Sequence, residues 1–195
     1  MVIIRVGFLF LTFLLISCVT KPSESPYPPV YLTRRAWYTL LPPNEIEAPL
    51  DLGQHITGTY GEEEFVLEAW TEADENRVTM AFFNSLGVSM GDLSFDGGGL
   101  FFSSAFLPPQ VTAEYILADF QLCFYRPEAL EKALNRAGLT FKVEKAVDTA
   151  WEVRSLFEGK TLIIKIEKGS SSVVYTNYFR RYAYTLEGYT LEGEW

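Results

Sequence analysis

The chain has 195 residues, with 16 Lys and Arg against 25 Asp and Glu, and a formal net charge of −9. It is 48% hydrophobic, which excludes a disordered chain, and this length supports one core without help from disulfides. The acidity excludes ordinary nucleic-acid binding, and one His with two Cys leaves too few ligands for most zinc sites.

Residues 1–17 carry one charge, Arg5, followed by the apolar run Val6 to Ile16. A basic start and a short apolar stretch read as a secretory signal, and the run is too short to span a bilayer. It ends in Leu15-Ile16-Ser17-Cys18. This resembles the lipobox of bacterial lipoproteins, which implies cleavage before Cys18 and lipid attachment to its sulfur and new amine. Two or three acyl chains anchor firmly where one does not. In enteric sorting, Asp after the cysteine retains a lipoprotein in the inner membrane. Val19 therefore implies the outer membrane, with the domain facing the periplasm. Removal of Arg5 leaves 15 basic against 25 acidic residues, a charge of −10. Cys18 and a tether make up residues 18–33, with Pro22, Pro26, Pro28 and Pro29 close together. Such a segment is an extended spacer reaching about 40 Å at roughly 3.1 Å per residue. The folded domain is expected over residues 34–195.

The domain is dominated by alternation. Phe65, Leu67 and Ala69 oppose Val66, Glu68 and Trp70. After Pro108-Pro109, Thr112 is placed to cap a helix from Ala113 to about Phe120. Pro127 opens a second helix, with Leu130, Ala133, Leu134 and Ala137 at helical spacing and Gly138 as its stop. Alternation then resumes. Trp151, Val153, Ser155 and Phe157 oppose Glu152, Arg154 and Leu156, and Leu162, Ile164 and Ile166 oppose Ile163, Lys165 and Glu167. Tyr182, Tyr184 and Leu186 oppose Arg181, Ala183 and Thr185. One apolar and one wet face per strand marks an antiparallel sheet, and glycine-bearing turns separate the runs. The expected fold is α+β: about ten short strands in a strongly curved antiparallel sheet, with two short helices on its concave face.

Catalytic patterns are sparse. His55 is the single candidate base, and no Gly-x-Ser-x-Gly elbow presents a nucleophile. Gly97-Gly98-Gly99 lacks the Lys-Ser/Thr end of a phosphate loop and reads as a turn. Cys123, between Leu122 and Phe124, reads as a small buried hydrophobe. Asp119 lies in an apolar helix, so its carboxyl must be hydrogen-bonded or neutral, and a tie to neighbouring backbone is expected. No enzyme, cofactor or metal site is expected. The aromatic surplus around the helices and the C-terminal strands leaves two readings: a well-filled core, or an apolar cavity that two short helices do not fill.

The stretch Ile116-Leu117-Ala118-Asp119-Phe120-Gln121-Leu122, with Phe124-Tyr125-Arg126-Pro127, resembles the central motif of an uncharacterised lipoprotein family. Its genes accompany aryl-polyene and fatty-acid-synthase-like clusters. The resemblance spans roughly residues 50–191, through Glu152-Val153-Arg154, Asn177 and Gly188-Tyr189-Thr190. That family is in turn similar to the lipoprotein carriers LolA and LolB, whose strand-turn resembles Asn84 to Leu93. The resemblance implies a half-open barrel that takes acyl chains inside and has no assigned catalytic residues. It implies a lipid-like ligand, a lipoprotein acyl chain or a polyene lipid, and helical lid movement around Pro127. The cavity is then expected along Phe65, Leu67, Met80, Phe82, Ile116, Phe120, Trp151, Val153, Ile164 and Tyr184. The alternative is a monomeric envelope interaction protein with a filled core, docking through Tyr178 and Phe179 near Arg180 and Arg181.

Overall fold

The computed structural model describes residues 29–96, 98–104, 111–145 and 151–189. The signal-like segment, Cys18 and most of the tether lie outside them, as do Pro108, Pro109 and the C-terminal residues beyond 189. Strand structure is present at Pro29–Tyr31, within residues 18–33 where a tether is expected. A short hairpin pairs β1 (Pro29–Tyr31) with β2 (Trp37–Thr39), and Val30 and Leu32 are buried. Pro29 is tolerated because it is the first residue of its strand.

Five strands follow as a meander: β3 (Leu50–Tyr60), β4 (Glu63–Ala73), β5 (Arg77–Phe83), β6 (Ser89–Asp96) and β7 (Leu100–Ser104). Then come helices α1 (Ala113–Phe124) and α2 (Pro127–Arg136). A second meander closes the chain: β8 (Thr140–Lys145), β9 (Glu152–Glu158), β10 (Thr161–Lys168), β11 (Ser172–Asn177) and β12 (Tyr182–Tyr189). The last strand pairs with β3, so the ten strands form one antiparallel sheet in the order β7-β6-β5-β4-β3-β12-β11-β10-β9-β8. The sheet does not close, because β7 and β8 are its two free edges. The expected α+β half-barrel of ten strands is therefore present.

Period two sets the inner face. Gln54 and Thr71 lie on it and bond to each other at 2.8 Å, while Val78, Met80, Phe82, Leu93 and Phe95 build its apolar floor. On β3, Gly58 is required by crowding. A Cβ there would sit 2.5 Å from the Ala183 carbonyl oxygen of β12 and 2.7 Å from the Phe65 ring. A β-bulge at Leu162 to Ile164 turns both Ile163 and Ile164 into the core.

α1 crosses the concave face and is enclosed. Eight of its twelve residues are buried, on every side of the helix. A helix that is apolar all round belongs in a core rather than on a surface. Its far side is covered by the strap formed by β1, β2 and the segment down to Glu47, which ends in the bridge between Ile46 and Tyr125. Continuous burial is why the helix runs on to Phe124, beyond the expected end near Phe120. α2 lies against β8 and stops where expected: Gly138 takes φ +77°, and Leu139 N–H bonds the Leu134 carbonyl at 3.0 Å.

Candidate functional site

Two buried polar clusters hold α1 in place. The first centres on Asp119, 8% exposed. Tyr175 on β11 and Tyr182 on β12 donate their hydroxyls to its two carboxyl oxygens, each at 2.6 Å. Tyr184, stacked on Tyr175, also acts to lower the pKa of the same carboxyl. Sheet pairing assembles the donors. Tyr175 lies opposite Tyr184, and Tyr182 sits two positions from Tyr184 on the same face. Their rings stack with centroids 4.9 to 6.3 Å apart and planes within 10° of parallel. Burial pushes the Asp119 carboxyl up to about 7, although the tyrosines and the Arg180 charge act to lower it. Asp119 therefore holds a shared proton near neutrality, tied to side chains of the sheet rather than to nearby backbone. Cys123, one turn further on, is fully buried, and desolvation followed by the Asp119 charge pushes its thiol up to about 12. A thiol in that state is inert at neutral pH.

The second cluster sits at the C-terminal end of α1. Arg154 of β9 is fully buried. It donates to the carbonyls of Leu122 and Tyr125 at 3.1 and 2.7 Å, and to Glu152 and Glu47 at 2.6 and 2.8 Å. A cation there complements the negative end of the helix and satisfies its last carbonyls. Burial raises Glu152, but Lys145 and Arg154 outweigh it and hold the carboxyl down at about 2. On the strap side, Gln121 bonds the Tyr38 hydroxyl at 2.6 Å and both backbone groups of Leu41.

Phe65, Leu67, Met80, Phe82, Ile164 and Tyr184 lie on the concave side, and Ile116 and Phe120 come from α1 into the same core. Met80, Phe82, Phe120 and Ile164 are 1–6% exposed, whereas Phe65, Leu67, Ile116 and Tyr184 are half-buried. Trp151 and Val153 do not join them. The inward set on β9 is Glu152, Arg154 and Leu156, so Val153 points to the opposite face, and Trp151 is 43% exposed. The physical reason is the charge cluster: Glu152 and Arg154 are turned inward because they neutralise each other and cap α1. Arg154 was legible only as one polar member of an alternating run. Two open hollows, of about 430 and 520 Å³, lie on the outer face instead. The larger is bordered by Trp70, Ala81 and Phe101. His55 is also on the outer face, 2.7 Å from Glu68. Among the described residues no three His, Cys, Asp or Glu side chains converge as a metal site.

Fold and site together define a half-open antiparallel barrel with a helix seated in its trough by two polar clusters. Residues 51–191 match the family described as protein of unknown function, DUF3261, and the chain belongs to that family. No curated protein matches it.

Proposed function

We propose that this chain is a lipid-anchored protein of the bacterial envelope that takes up a hydrophobic chain in its half-barrel, with α1 as the plug that gives way. The observation that carries the reading is how α1 is held. Its seat on the sheet is apolar, but it is fixed through a carboxyl shared by tyrosines, not by packing alone. Such a tie is specific in register, and water or a ligand headgroup can replace its hydrogen bonds. Departure of α1 uncovers Met80, Phe82, Leu93, Phe95, Ile164 and Ile166, a trough that suits an acyl or polyene chain. Methylene burial of about 0.8 kcal/mol per CH₂ then drives binding. The free edges β7 and β8 allow the trough to widen. The signal-like residues 1–17, Cys18 and Val19 support export, lipidation at Cys18 and placement in the outer membrane facing the periplasm. The role is carriage rather than catalysis, by a monomer, and its ligand class is lipid, lipoprotein acyl chain or polyene.

The test is uptake of a fluorescent polyene fatty acid by the full chain in mild detergent, between pH 5 and 8. Saturable binding near one per chain, displaced by a plain fatty acid, is expected. Folded protein that takes up nothing across that range overturns the carrier. One observation favours the alternative, an interaction protein with a filled core: the concave face is occupied by α1, and the open hollows are on the outside.

A further inference from the structure

Exposed apolar side chains are not spread evenly over this molecule. Among the described residues ten large ones are exposed, and seven lie at one end of the barrel. The aromatic members are Tyr31, Trp37, Tyr60, Tyr178 and Phe179, 40–52% exposed. Leu86 and Val88, on the turn between β5 and β6, stand at the same end.

Hydrogen bonds join the turns that carry these aromatics into one surface. Tyr31 and Trp37 are cross-strand partners at the closed end of the first hairpin. Arg180, in the turn after Tyr178 and Phe179, donates to the Tyr31 carbonyl at 2.9 Å and sits over the Tyr115 ring, 3.7 Å from its centroid. Arg181, held at φ +61°, accepts from Gly61 N–H beside Tyr60, and Tyr60 stacks on Tyr182. Thr33 of the hairpin turn reaches Glu158 at the same end of β9. The aromatics thus ride on a braced rim.

The charge pattern around the rim is unlike the chain as a whole. Arg34, Arg35 and Arg181 are exposed there, in a chain of net charge −9. Glu62, Glu63 and Glu64 bound this basic zone on the side of Tyr60. Amphipathic Tyr and Trp with nearby Arg suit a lipid–water interface, where rings sit among headgroups and cations meet phosphates. The chain outside the structure ends at this site. The first described residue, Pro29, is two positions before Tyr31, and eleven positions separate it from Cys18. Eleven residues of chain reach at most about 40 Å, so an anchor at Cys18 keeps the rim within that distance of the bilayer.

We propose that this rim, Tyr31, Trp37, Tyr60, Tyr178 and Phe179 with Arg34, Arg35 and Arg181, docks on the headgroup region of the bilayer in which Cys18 is anchored. It rests on the lipid anchor of the functional reading. Docking turns the upper end of α1 and the tyrosine cluster toward the membrane, so a hydrophobic chain passes from bilayer to trough without crossing water.

The test uses the lipidated full chain in vesicles containing brominated phosphatidylcholine. Trp70, Trp151 and Trp195 are replaced by Phe, which leaves Trp37 as the reporter. Docking predicts loss of Trp37 emission, strongest with bromines near the headgroups, and a smaller loss after Tyr178→Ser with Phe179→Ser. Flotation is read in parallel. A chain that floats with unquenched Trp37 overturns the docking and leaves the anchor standing. A chain that does not float overturns the anchor and the docking with it. Crosslinking of the rim to a stoichiometric envelope protein, with Trp37 unquenched, assigns the rim to a protein partner and also overturns the proposal. Fatty-acid uptake in solution is a separate readout, so the carrier reading stands or falls on its own.

Discussion

Midway along α1, Asp119 is a carboxyl pushed up to about 7 by burial, surrounded by neutral tyrosine hydroxyls. At the C-terminal end of the same helix, Glu152 is a carboxyl held down at about 2 by Lys145 and Arg154. Both lie in the same trough and both are hydrogen-bonded, yet they respond to protons in opposite directions. The difference is the partner. Hydroxyls share a proton with a carboxylate but bring no charge to offset desolvation, whereas a guanidinium and an ammonium do. The C-terminal tie is a fixed clamp, and the Asp119 tie is one that loss of its proton and hydration can loosen. A plug that must release does so at Asp119.

Breaking the clamp carries the largest expected effect. Arg154→Met removes the buried cation that ties Glu152 and Glu47 to the Leu122 and Tyr125 carbonyls. It leaves Lys145 on Glu152 and Lys168, 3.1 Å from Glu47, to pair with the two carboxylates. Loss of one partner from a buried ion pair costs about 3–5 kcal/mol. Urea unfolding followed by circular dichroism measures it. A loss under about 1 kcal/mol, well below that range, would show that Lys145 and Lys168 carry the clamp without Arg154.

Much of this architecture was legible in the chain, and where it was not, the cause is physical. Alternation groups Phe65 with Leu67 and Tyr182 with Tyr184, and the register of β4, β3 and β12 sets both pairs on one face. The bulge on β10 instead buries Ile163 beside Ile164, against the alternation. The same rule inverted β9, because Glu152 and Arg154 enter the core as a mutually neutralised pair. Period alone does not reveal pairing. Asp119 stood out as a carboxyl in an apolar helix, but its partners lie 56 and 63 positions away, a distance only sheet register resolves. β1 was hidden because three residues beginning at a proline carry no period, and it forms by covering α1.

The next effect is the pH dependence of stability. Asp119 has a folded value of about 7 against an ordinary one near 4, so the fold favours its protonated form. Its contribution is full below about pH 4 and is lost as pH rises through about 7. A rise from near 4 to about 7 corresponds to a swing on the order of 4 kcal/mol. Glu152 behaves in reverse: its contribution is full above about pH 4.5 and is lost as pH falls through about 2. The contributions of these two groups are jointly greatest at about pH 4–5. Urea midpoints from pH 3 to 8 trace both limbs. Asp119→Asn flattens the upper limb, because the amide keeps an acceptor for one tyrosine and does not titrate. An upper limb that survives this substitution would assign the loss to another group and detach the pH response from α1.

The smallest expected effect separates the tyrosines from simple burial. Tyr182→Phe keeps the ring stacked on Tyr175 but removes the hydroxyl that reaches Asp119 and accepts from Asn177 at 3.3 Å. One such bond is worth about 1 kcal/mol net. The sharper readout is the position of the upper limb. The Tyr182 hydroxyl lowers the Asp119 value, so its removal lets burial push the carboxyl above about 7 and moves the limb to higher pH. Infrared titration of the carboxyl band at position 119 measures this directly. An unmoved midpoint would mean that Tyr182 holds the protonated and ionised forms equally. It would then position α1 without setting the pH at which the helix is released.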